Sequence, residues 1–336
     1  MSRKPTLARL SELTPGQYAD CFVLLATRTR HATRDGKPYY SCRFRDGKRT
    51  AAFMVWADGG WFEDCEAGWK QGEFYKVRGR YVEHQKYGPQ LDIESIRRVT
   101  DADREQGFNP AEFVNGSRFD PEAMLTELLA LVAAEIADEA LLRLVLTIVQ
   151  RHAEPLKSLP ATPRHFYPFP GGLLEHTLSV TRNCLFLADR YIAHYPDLTP
   201  PLNRDLVIAA AVLHDLGRVL ELAGDAAGVE PTVPGRLFGH LFLGRDLVRD
   251  TARELGDVNP ELVQLLEHLV LSHLALPEWG SPRLPLVPEC LILHHVDDLD
   301  AKMEMYARCL TNDTEEGPFT ARDPVLGRRL YKGRGV

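Results

Sequence analysis

A histidine and an aspartate stand side by side inside a strongly apolar stretch, LVIAAAVLHDLGRVLEL at residues 206–222. The apolar character of this stretch predicts a buried helix. Burying the polar pair His214-Asp215 in such a helix is costly unless a partner compensates for its lost hydration. A divalent metal ion is such a partner, because imidazole nitrogen and carboxylate oxygen are its usual ligands. The pair therefore predicts a helical domain built around a metal site.

Further ligands must come from other helices, because two neighbouring side chains cannot complete a coordination shell. Ten of the twelve histidines lie between residues 152 and 295. His176, in GGLLEHTLSV, precedes the pair by 38 residues, which leaves room for one helix and a turn back. Three more candidates fall on three separate predicted helices downstream. The predicted metal ligands are His176, His214, Asp215, His240, His273 and Asp297.

The same set supplies candidate catalytic groups. One ion would be held by His176, His214, Asp215 and Asp297, and a second by His240 and His273 with Asp215 bridging. If the substrate is a phosphate ester, two metals about 3.5–4 Å apart would activate water and stabilise the entering and leaving oxygens at phosphorus. Arg218 follows His214 by one helical turn and could offer a charged fork to the scissile phosphate. We predict catalytic roles for Asp215, Arg218 and His240, and leave open whether one ion or two are bound.

Residues beyond the ligands complete the predicted helical site. Trp279, in the turn-prone segment EWGSP, could stack on a terminal base, and Ser281 could bind a phosphate oxygen. His294 precedes Asp297 by three residues and could orient a ligand from behind. Asp298 and Asp300 are interpreted as solvated or capping. The competing interpretation of any single histidine here is a satisfied core residue.

The first hundred residues predict a different architecture. Alternating polar and apolar positions, separated by turn signals, indicate five short strands. They cover residues 21–27, 39–45, 50–56, 74–83 and 90–99, with a short helix within 61–70. A helix between the third and fourth of five strands is the order of an OB-fold barrel.

This N-terminal part is also basic. Residues 1–100 carry 18 Lys and Arg against 12 Asp and Glu, whereas the whole chain carries 40 against 47. Clustered positive charge interleaved with aromatic side chains is typical of a groove that stacks bases and tracks phosphates. We therefore expect a single-stranded nucleic acid as partner. The candidate contact residues are Tyr39, Arg43, Arg45, Arg78, Tyr81 and Lys86.

Cysteine usage and hydropathy bear on location. The six cysteines form no CxxC pair, which suits a reducing compartment and argues against a zinc ribbon or disulfide scaffold. The first residues show no secretory signal pattern, and no run of about 18 apolar residues predicts a membrane span. We expect a cytoplasmic protein without membrane contact. The chain also lacks the glycine-rich motifs GxxxxGK[ST] and GxGxxG that cradle nucleotide phosphates.

The order H…HD…H…H…D resembles the HD superfamily of metal-dependent phosphohydrolases. The motifs GGLLEHTLSV, LHDLGRVLEL, LFGH, LSHLALPEWGSP and ILHHVDDLDAKM more closely resemble the YhaM-type 3′–5′ exoribonuclease family. The likeness runs from about Phe22 through QLDIESIRRVTDAD to FTARDPVLGRRLYKG near the end. Members of that family often carry a second histidine where this chain has Leu274, and usually a lysine where it has Arg218.

The resemblance implies a domain order and an activity. The expected fold is a multidomain α+β chain, an N-terminal five-stranded OB-type β-barrel followed by an all-α HD domain. The expected parts are the barrel at 1–100, a linker at 101–120, a helical connector at 121–160, the HD domain at 161–310 and a basic tail at 311–336. The implied activity is 3′–5′ exonucleolysis of single strands by a homo-oligomer, RNA favoured over DNA. The implied cofactor is Mn²⁺, with Mg²⁺, Fe²⁺, Co²⁺ or Ni²⁺ as alternatives.

Two other functions fit the same ligands. HD domains also hydrolyse free or cyclic nucleotides, and the ligand set does not distinguish these substrates from a strand end. The barrel favours the strand, because a free-nucleotide enzyme has no use for a strand-tracking groove. The other alternative is a catalytically degenerate nucleic-acid-binding protein, which the number of intact ligands disfavours.

Overall fold

The computed structural model describes residues 5–33, 35–84, 87–113, 116–225, 228–313, 315 and 317–333. The chain divides into two compact units, Met1–Asn115 and Gly116–Val336. In the described part of the chain, no helix is long and apolar enough to span a membrane.

The first unit is a closed five-stranded barrel. Its elements are β1 (Tyr18–Ala32), β2 (Pro38–Arg45), β3 (Thr50–Trp56), α1 (Phe62–Gly68), β4 (Phe74–His84) and β5 (Gly88–Arg98). The strands run in the order β1-β2-β3-β5-β4, and a parallel pairing of β3 with β5 closes the barrel. The predicted strand count and the helix between the third and fourth strands are confirmed.

Alternation along β2 decides which side chains enter the barrel. Tyr40, Cys42 and Phe44 are buried in its core, so that Tyr39 and Arg43 point to the outer face. The core adds side chains from all five strands and Trp69 after α1. Large residues inside and polar residues outside are the pattern that the sequence showed over these segments.

The described residues of the second unit form mainly helices, with one two-stranded hairpin. It contains α2 (Pro121–Glu135), α3 (Glu139–Arg151), α4 (Ala153–Ser158), α5 (Gly172–His194), α6 (Arg204–Leu213), α7 (Arg218–Glu221), β6 (Leu222–Asp225), β7 (Gly228–Pro231), α8 (Val233–Leu255), α9 (Pro260–Ser272) and α10 (Pro288–Asn312). The hairpin β6-β7 was not predicted.

The helix α6 is the centre of this unit. Every residue from Leu206 to Leu213 is buried, and α5, α9, α10 and α3 pack around it. Asn203 caps the start of the helix, and its side chain accepts a hydrogen bond from the backbone nitrogen of Leu206. A helix that is apolar all round must be buried on every side, and the residue that follows its last turn therefore lies inside the protein.

Candidate metal centre

The His-Asp pair lies in a turn and not within a continuous helix. The helix α6 ends at Leu213, and residues 214–217 turn into the short α7. The sequence predicted one helix through Leu222, and this prediction is wrong. The turn places His214 and Asp215 at the buried end of α6, where both are almost fully inaccessible.

Two glycines allow α8 to approach this turn. A Cβ on Gly217 would overlap the backbone carbonyl oxygen of His240 and lie 2.5 Å from the backbone nitrogen of Gly244. Gly239 interrupts α8 with φ 71°, a conformation that favours glycine. The result is a close contact between Nε2 of His240 and Oδ1 of Asp215, 3.2 Å apart.

Side chains from five segments converge at this point. Nε2 of His176, on α5, lies 3.1 Å from Oδ1 of Asp297, on α10, and 3.3 Å from Nε2 of His214. Nε2 of His273, after α9, lies 3.7 Å from Oδ1 of Asp215 and 3.9 Å from Oδ2 of Asp297. The structure thus brings all six predicted ligands together: His176, His214, Asp215, His240, His273 and Asp297.

In His214 and His273, a hydrogen bond at Nδ1 fixes the direction in which Nε2 points. Nδ1 of His214 lies 2.8 Å from the carbonyl oxygen of Ala211, and Nδ1 of His273 lies 2.9 Å from that of Val270. A carbonyl oxygen only accepts, so Nδ1 carries the proton and Nε2 presents a lone pair. Both Nε2 lone pairs point toward the two carboxylates.

Carboxylates take the same position behind the other two histidines. Nδ1 of His176 lies 2.9 Å from Oδ2 of Asp300, and Nδ1 of His240 lies 3.4 Å from Oε2 of Glu221. A carboxylate behind a metal-binding histidine orients the ring and raises its basicity. All four imidazoles are therefore held from behind with Nε2 facing inward.

Three buried polar atoms at the centre lack a hydrogen-bond partner among the described residues. They are Oδ1 of Asp215, Nε2 of His240 and Nε2 of His273. Buried polar atoms are nearly always satisfied, and lone pairs of nitrogen and carboxylate facing one another repel unless a cation lies between them. The donor set and its unsatisfied atoms fit a divalent metal ion.

The pKa shifts of His214, His273 and Asp215 favour the deprotonated forms that bind metal, whereas the pKa shift of His176 does not. Burial lowers the pKa of His214, and it lowers that of His273 to about 3, so both rings are neutral. Burial would raise the pKa of Asp215, but Arg218 and the surrounding histidines hold it well below its usual value. Burial likewise opposes a charge on His176, but its bonds to Asp297 and Asp300 raise its pKa to about 10. Ligands must be deprotonated at the binding nitrogen, so a cation must displace a proton from His176.

Arg218 contacts the carboxylate ligand. Its Nε donates to Oδ2 of Asp215 at 2.7 Å, and its Nη1 lies 3.3 Å from Oε2 of Glu221. The guanidinium is almost fully buried and lines the same cleft as Asp215 and Asp297. Sequence reasoning placed Arg218 correctly beside the pair but missed Glu221, which contacts both Arg218 and His240.

The metal centre opens into a cleft of about 940 Å³. This volume lies at the upper end of the range for small-molecule sites, about 300–1,000 Å³. Trp279 lines the cleft and is 48% exposed, and its stacking role stays a prediction. Phe166, which the sequence analysis did not single out, also lines it and packs 5.1 Å from the ring of His176.

Ser281 and His294 also belong to the predicted site, and the structure places the first in a turn and the second in the lining of the cleft. The Ser281 side chain is buried, and its hydroxyl contacts the carbonyl oxygens of Leu271 and Arg283. Its predicted role as a phosphate ligand is wrong, since the hydroxyl closes the turn instead. His294 lines the cleft, and its Nδ1 lies 2.7 Å from the carbonyl oxygen of His273. It holds the backbone of one predicted ligand in place.

Asp300 corrects the interpretation of the acidic residues on α10. The sequence indicated a solvated or capping carboxylate, but Asp300 is buried and contacts His176 and Ser179. The available signal was its spacing, because Asp300 follows Asp297 by three residues and shares its helix face. Asp298 is half-buried and pairs with Lys302.

Replacing Asp300 by asparagine tests this contact. We expect the concentration of divalent metal ion that gives half-maximal activity to rise about 10–100-fold, as for other partners behind a metal-binding histidine. A metal titration of initial rates measures it. Asp298→Asn is the control and should leave the metal requirement unchanged. An unchanged requirement in Asp300→Asn would contradict the orienting role.

The barrel residues that the sequence predicted as nucleic-acid contacts differ in exposure and in their partners. Tyr39 and Arg43 are on the outer face of β2, and Arg43 is exposed. Arg45 is half-buried, with its Nε buried. Arg78 forms a two-point ion pair with Asp20. Lys86 lies outside the described residues.

Tyr81 does not belong to the barrel surface. Its side chain is 1% exposed and packs in the barrel core, with the Arg49 guanidinium 4.7 Å from its ring centre. A base cannot stack on a ring that the barrel encloses. The predicted role of Tyr81 in nucleic-acid contact is therefore wrong, because alternation along β4 turns this position inward.

Comparison with known proteins identifies the class. A family model described as HD domain matches residues 173–302, which contain all six predicted ligands. A model described as putative helicase matches residues 122–223. Residues 173–302, which hold the converging histidines and aspartates, thus form an HD domain, and the protein is a metal-dependent hydrolase.

Curated relatives narrow the class to a family. The chain is 31% identical over 328 residues to the 3′-5′ exoribonuclease YhaM of Listeria monocytogenes, covering 96% of this chain and 97% of that protein. It is 30% identical over 316 residues to the protein of the same name from Bacillus subtilis, covering 94% and 95%. The chain belongs to the YhaM family of 3′–5′ exoribonucleases.

Proposed function

We propose that this protein removes nucleotides from the 3′ end of single-stranded RNA, using Mn²⁺ bound at the HD centre. The observation that carries the proposal is the convergence of four imidazole Nε2 atoms and two carboxylates at a cleft. Family membership supports exonucleolysis, since the relatives bear the name of 3′-5′ exoribonuclease. Single-stranded RNA as substrate and Mn²⁺ as ion are parts of this proposal.

The two oxygens of Asp215 support a two-ion centre. Oδ2 lies 3.9 Å from Nε2 of both His176 and His214. Oδ1 lies 3.2 Å from Nε2 of His240 and 3.7 Å from that of His273. Each oxygen thus faces its own pair of histidines, as a bridging carboxylate would. We propose that Asp297 completes the first group.

The chain's own residues define the remaining chemistry. Bound divalent ions would supply Lewis-acid polarisation of the phosphodiester and activation of water. Arg218 is held against Asp215, where its guanidinium can offset charge that develops on the scissile phosphate. Trp279 offers an exposed ring in the same cleft for the terminal base. His176 and His273 are fully buried, so these two predicted ligands are shielded from bulk water.

An aromatic row on the barrel supports binding of a strand. His31 pairs with Tyr39, and Tyr39 pairs with Trp56, across three neighbouring strands. The ring centres are 5.2 Å and 4.9 Å apart, and Trp56 is 46% exposed. Arg43 lies on the same face of β2 as Tyr39. Stacking rings beside a guanidinium are suited to bases and phosphates of a single strand.

Replacing Trp56 by alanine tests the row. We expect single-stranded RNA to bind more weakly by about 1–3 kcal/mol, the usual loss for one stacked base. Fluorescence anisotropy of a labelled oligonucleotide, with metal withheld to prevent cleavage, measures it. Tyr18→Ala is the control, because Tyr18 is an exposed barrel aromatic outside the row. Equal losses in the two variants would contradict a specific platform.

The activity test uses 5′-labelled single-stranded RNA and the matching DNA. Each is incubated with the protein and Mn²⁺, Mg²⁺ or a chelator. A metal-dependent ladder that shortens from the 3′ end supports the proposal, and blocking the 3′ hydroxyl should suppress it. Binding without cleavage in every metal would indicate a degenerate binding protein. Cleavage of cyclic or free nucleotides alone would indicate the other alternative, a hydrolase of free or cyclic nucleotides.

Homo-oligomerisation and cytoplasmic location stay predictions. Light scattering checks the oligomeric state.

A further inference from the structure

The basic C-terminal segment folds back on itself. The backbone nitrogen of Thr320 donates to the carbonyl oxygen of Leu330 at 2.9 Å, and the hydroxyl of Thr320 accepts from the nitrogen of Leu330. At the tip, the carboxylate of Asp323 accepts from the backbone nitrogens of Val325 and Leu326. These bonds give the loop 318–332 a defined shape, and Leu330 is buried at its base.

The tip of this loop forms part of the cleft above the metal centre. Val325, Leu326 and Arg328 line the same cavity as Asp215 and Asp297. Segments more than 100 residues apart in the sequence therefore share one cavity. An interaction of a bound substrate with the loop is possible without any rearrangement of the fold.

Among the described residues, three lysine or arginine side chains line the cleft, and two of them already pair with carboxylates. Arg218 contacts the carboxylates of Asp215 and Glu221. Lys302 donates to Oδ2 of Asp298 at 2.6 Å. Arg328 is exposed, and its Nε donates to the carbonyl oxygen of Leu326. Among the described residues, Arg328 has no carboxylate within ion-pair distance.

We propose that Arg328 binds a non-scissile phosphate of the substrate strand, so that the C-terminal loop is part of the substrate site. An unpaired guanidinium beside a centre that cleaves phosphodiesters matches phosphate in charge and geometry. Arg218 lies against Asp215 and is placed for the scissile phosphate, which leaves Arg328 for a second phosphate. The ligand class is thus a strand with at least two phosphates. The inference rests on the proposed exonuclease function.

The test compares two substrates of different length. A single-stranded RNA oligonucleotide offers several phosphates, whereas bis(p-nitrophenyl) phosphate offers only the scissile one. Arg328→Ala should raise KM for the oligonucleotide about tenfold or more, the loss typical of one charge-assisted hydrogen bond. The effect on the chromogenic diester should be at least tenfold smaller. The salt dependence of oligonucleotide KM should also weaken, by about one unit of logarithmic slope. Arg328→Lys should recover part of the loss.

Arg322→Ala is the matched control. Arg322 is an exposed arginine of the same loop that does not line the cleft, so this variant should cleave both substrates like the wild type. An unchanged oligonucleotide KM in Arg328→Ala, or an equal loss on both substrates, would overturn the inference. A wild-type protein that cleaves the diester but not the oligonucleotide would instead overturn the proposed function. Thermal unfolding of each variant separates these outcomes from misfolding.

Discussion

We expect Asp215→Asn to lower the exonuclease activity by more than about 100-fold. Removing a residue that only supports a metal ligand from behind typically costs ~10–100-fold, and Asp215 is itself a predicted ligand. Asparagine keeps the size of the side chain but removes its charge. Asp215 is common to two of the three possible metal-binding groups, and its two oxygens face different pairs of histidines. Asp215 lies within 3.9 Å of the Nε2 atoms of all four histidines, whereas Asp297 reaches only three of them, so we expect the largest single loss of activity here.

Metal content measured by elemental analysis should fall together with activity. Removing one member of a buried ion pair also destabilises the fold, commonly by about 3–5 kcal/mol. Glu221 still faces Arg218 in the variant and should reduce this loss. Unfolding curves with and without a divalent metal ion distinguish the two effects, because a lost metal site would remove the stabilisation that a bound ion gives to the wild type.

Asp250→Asn is the charge-matched control, since Asp250 is an exposed aspartate on α8. It should keep wild-type activity and metal content. Asp215→Asn with normal metal content and normal rate would refute the assignment of Asp215 as a bridging ligand. A normal metal content with lost activity would restrict its role to catalysis.

The parts of the fold that were predictable follow from local periodicity. Alternation along β2 separates the buried Tyr40 and Phe44 from the outer Tyr39 and Arg43, and the structure places them so. The ligands were also predictable, because a polar pair at the end of the apolar α6 requires a partner inside the protein. The histidines concentrated in residues 152–295 indicated where further ligands lie, and the resemblance to HD-superfamily motifs supported the choice among them.

Other features depend on contacts between distant segments, which spacing does not encode. Glu221 and Arg328 look like surface charges in sequence, and only the packing of α7, α8 and the C-terminal loop places them at the cleft. Tyr81 looked like a surface aromatic because one residue of register decides which face of β4 it occupies. The break after α6 was missed because apolar residues lie on both sides of LHDLGR, and the close backbone contact of Gly217 with α8 cannot be seen in the sequence.

Gly217→Ala is therefore expected to damage the metal centre without changing any ligand. The added Cβ would overlap the carbonyl oxygen of His240 and crowd the nitrogen of Gly244. Both are backbone atoms of α8, so relief requires movement of the helix and not of a flexible side chain. Overpacking of this kind commonly costs about 1–3 kcal/mol or more. Thermal unfolding should report it as a lowered midpoint.

The movement of α8 should act selectively on the ligands. It separates His240 from Asp215, now 3.2 Å apart, while His176, His214 and Asp297 belong to other segments. In a two-ion centre the variant should lose about one ion and most of its activity while it stays folded. Gly68→Ala is the control, because a Cβ there meets no described atom within 4 Å. Gly217→Ala with wild-type metal content and rate would show that α8 approaches the turn less closely than we infer.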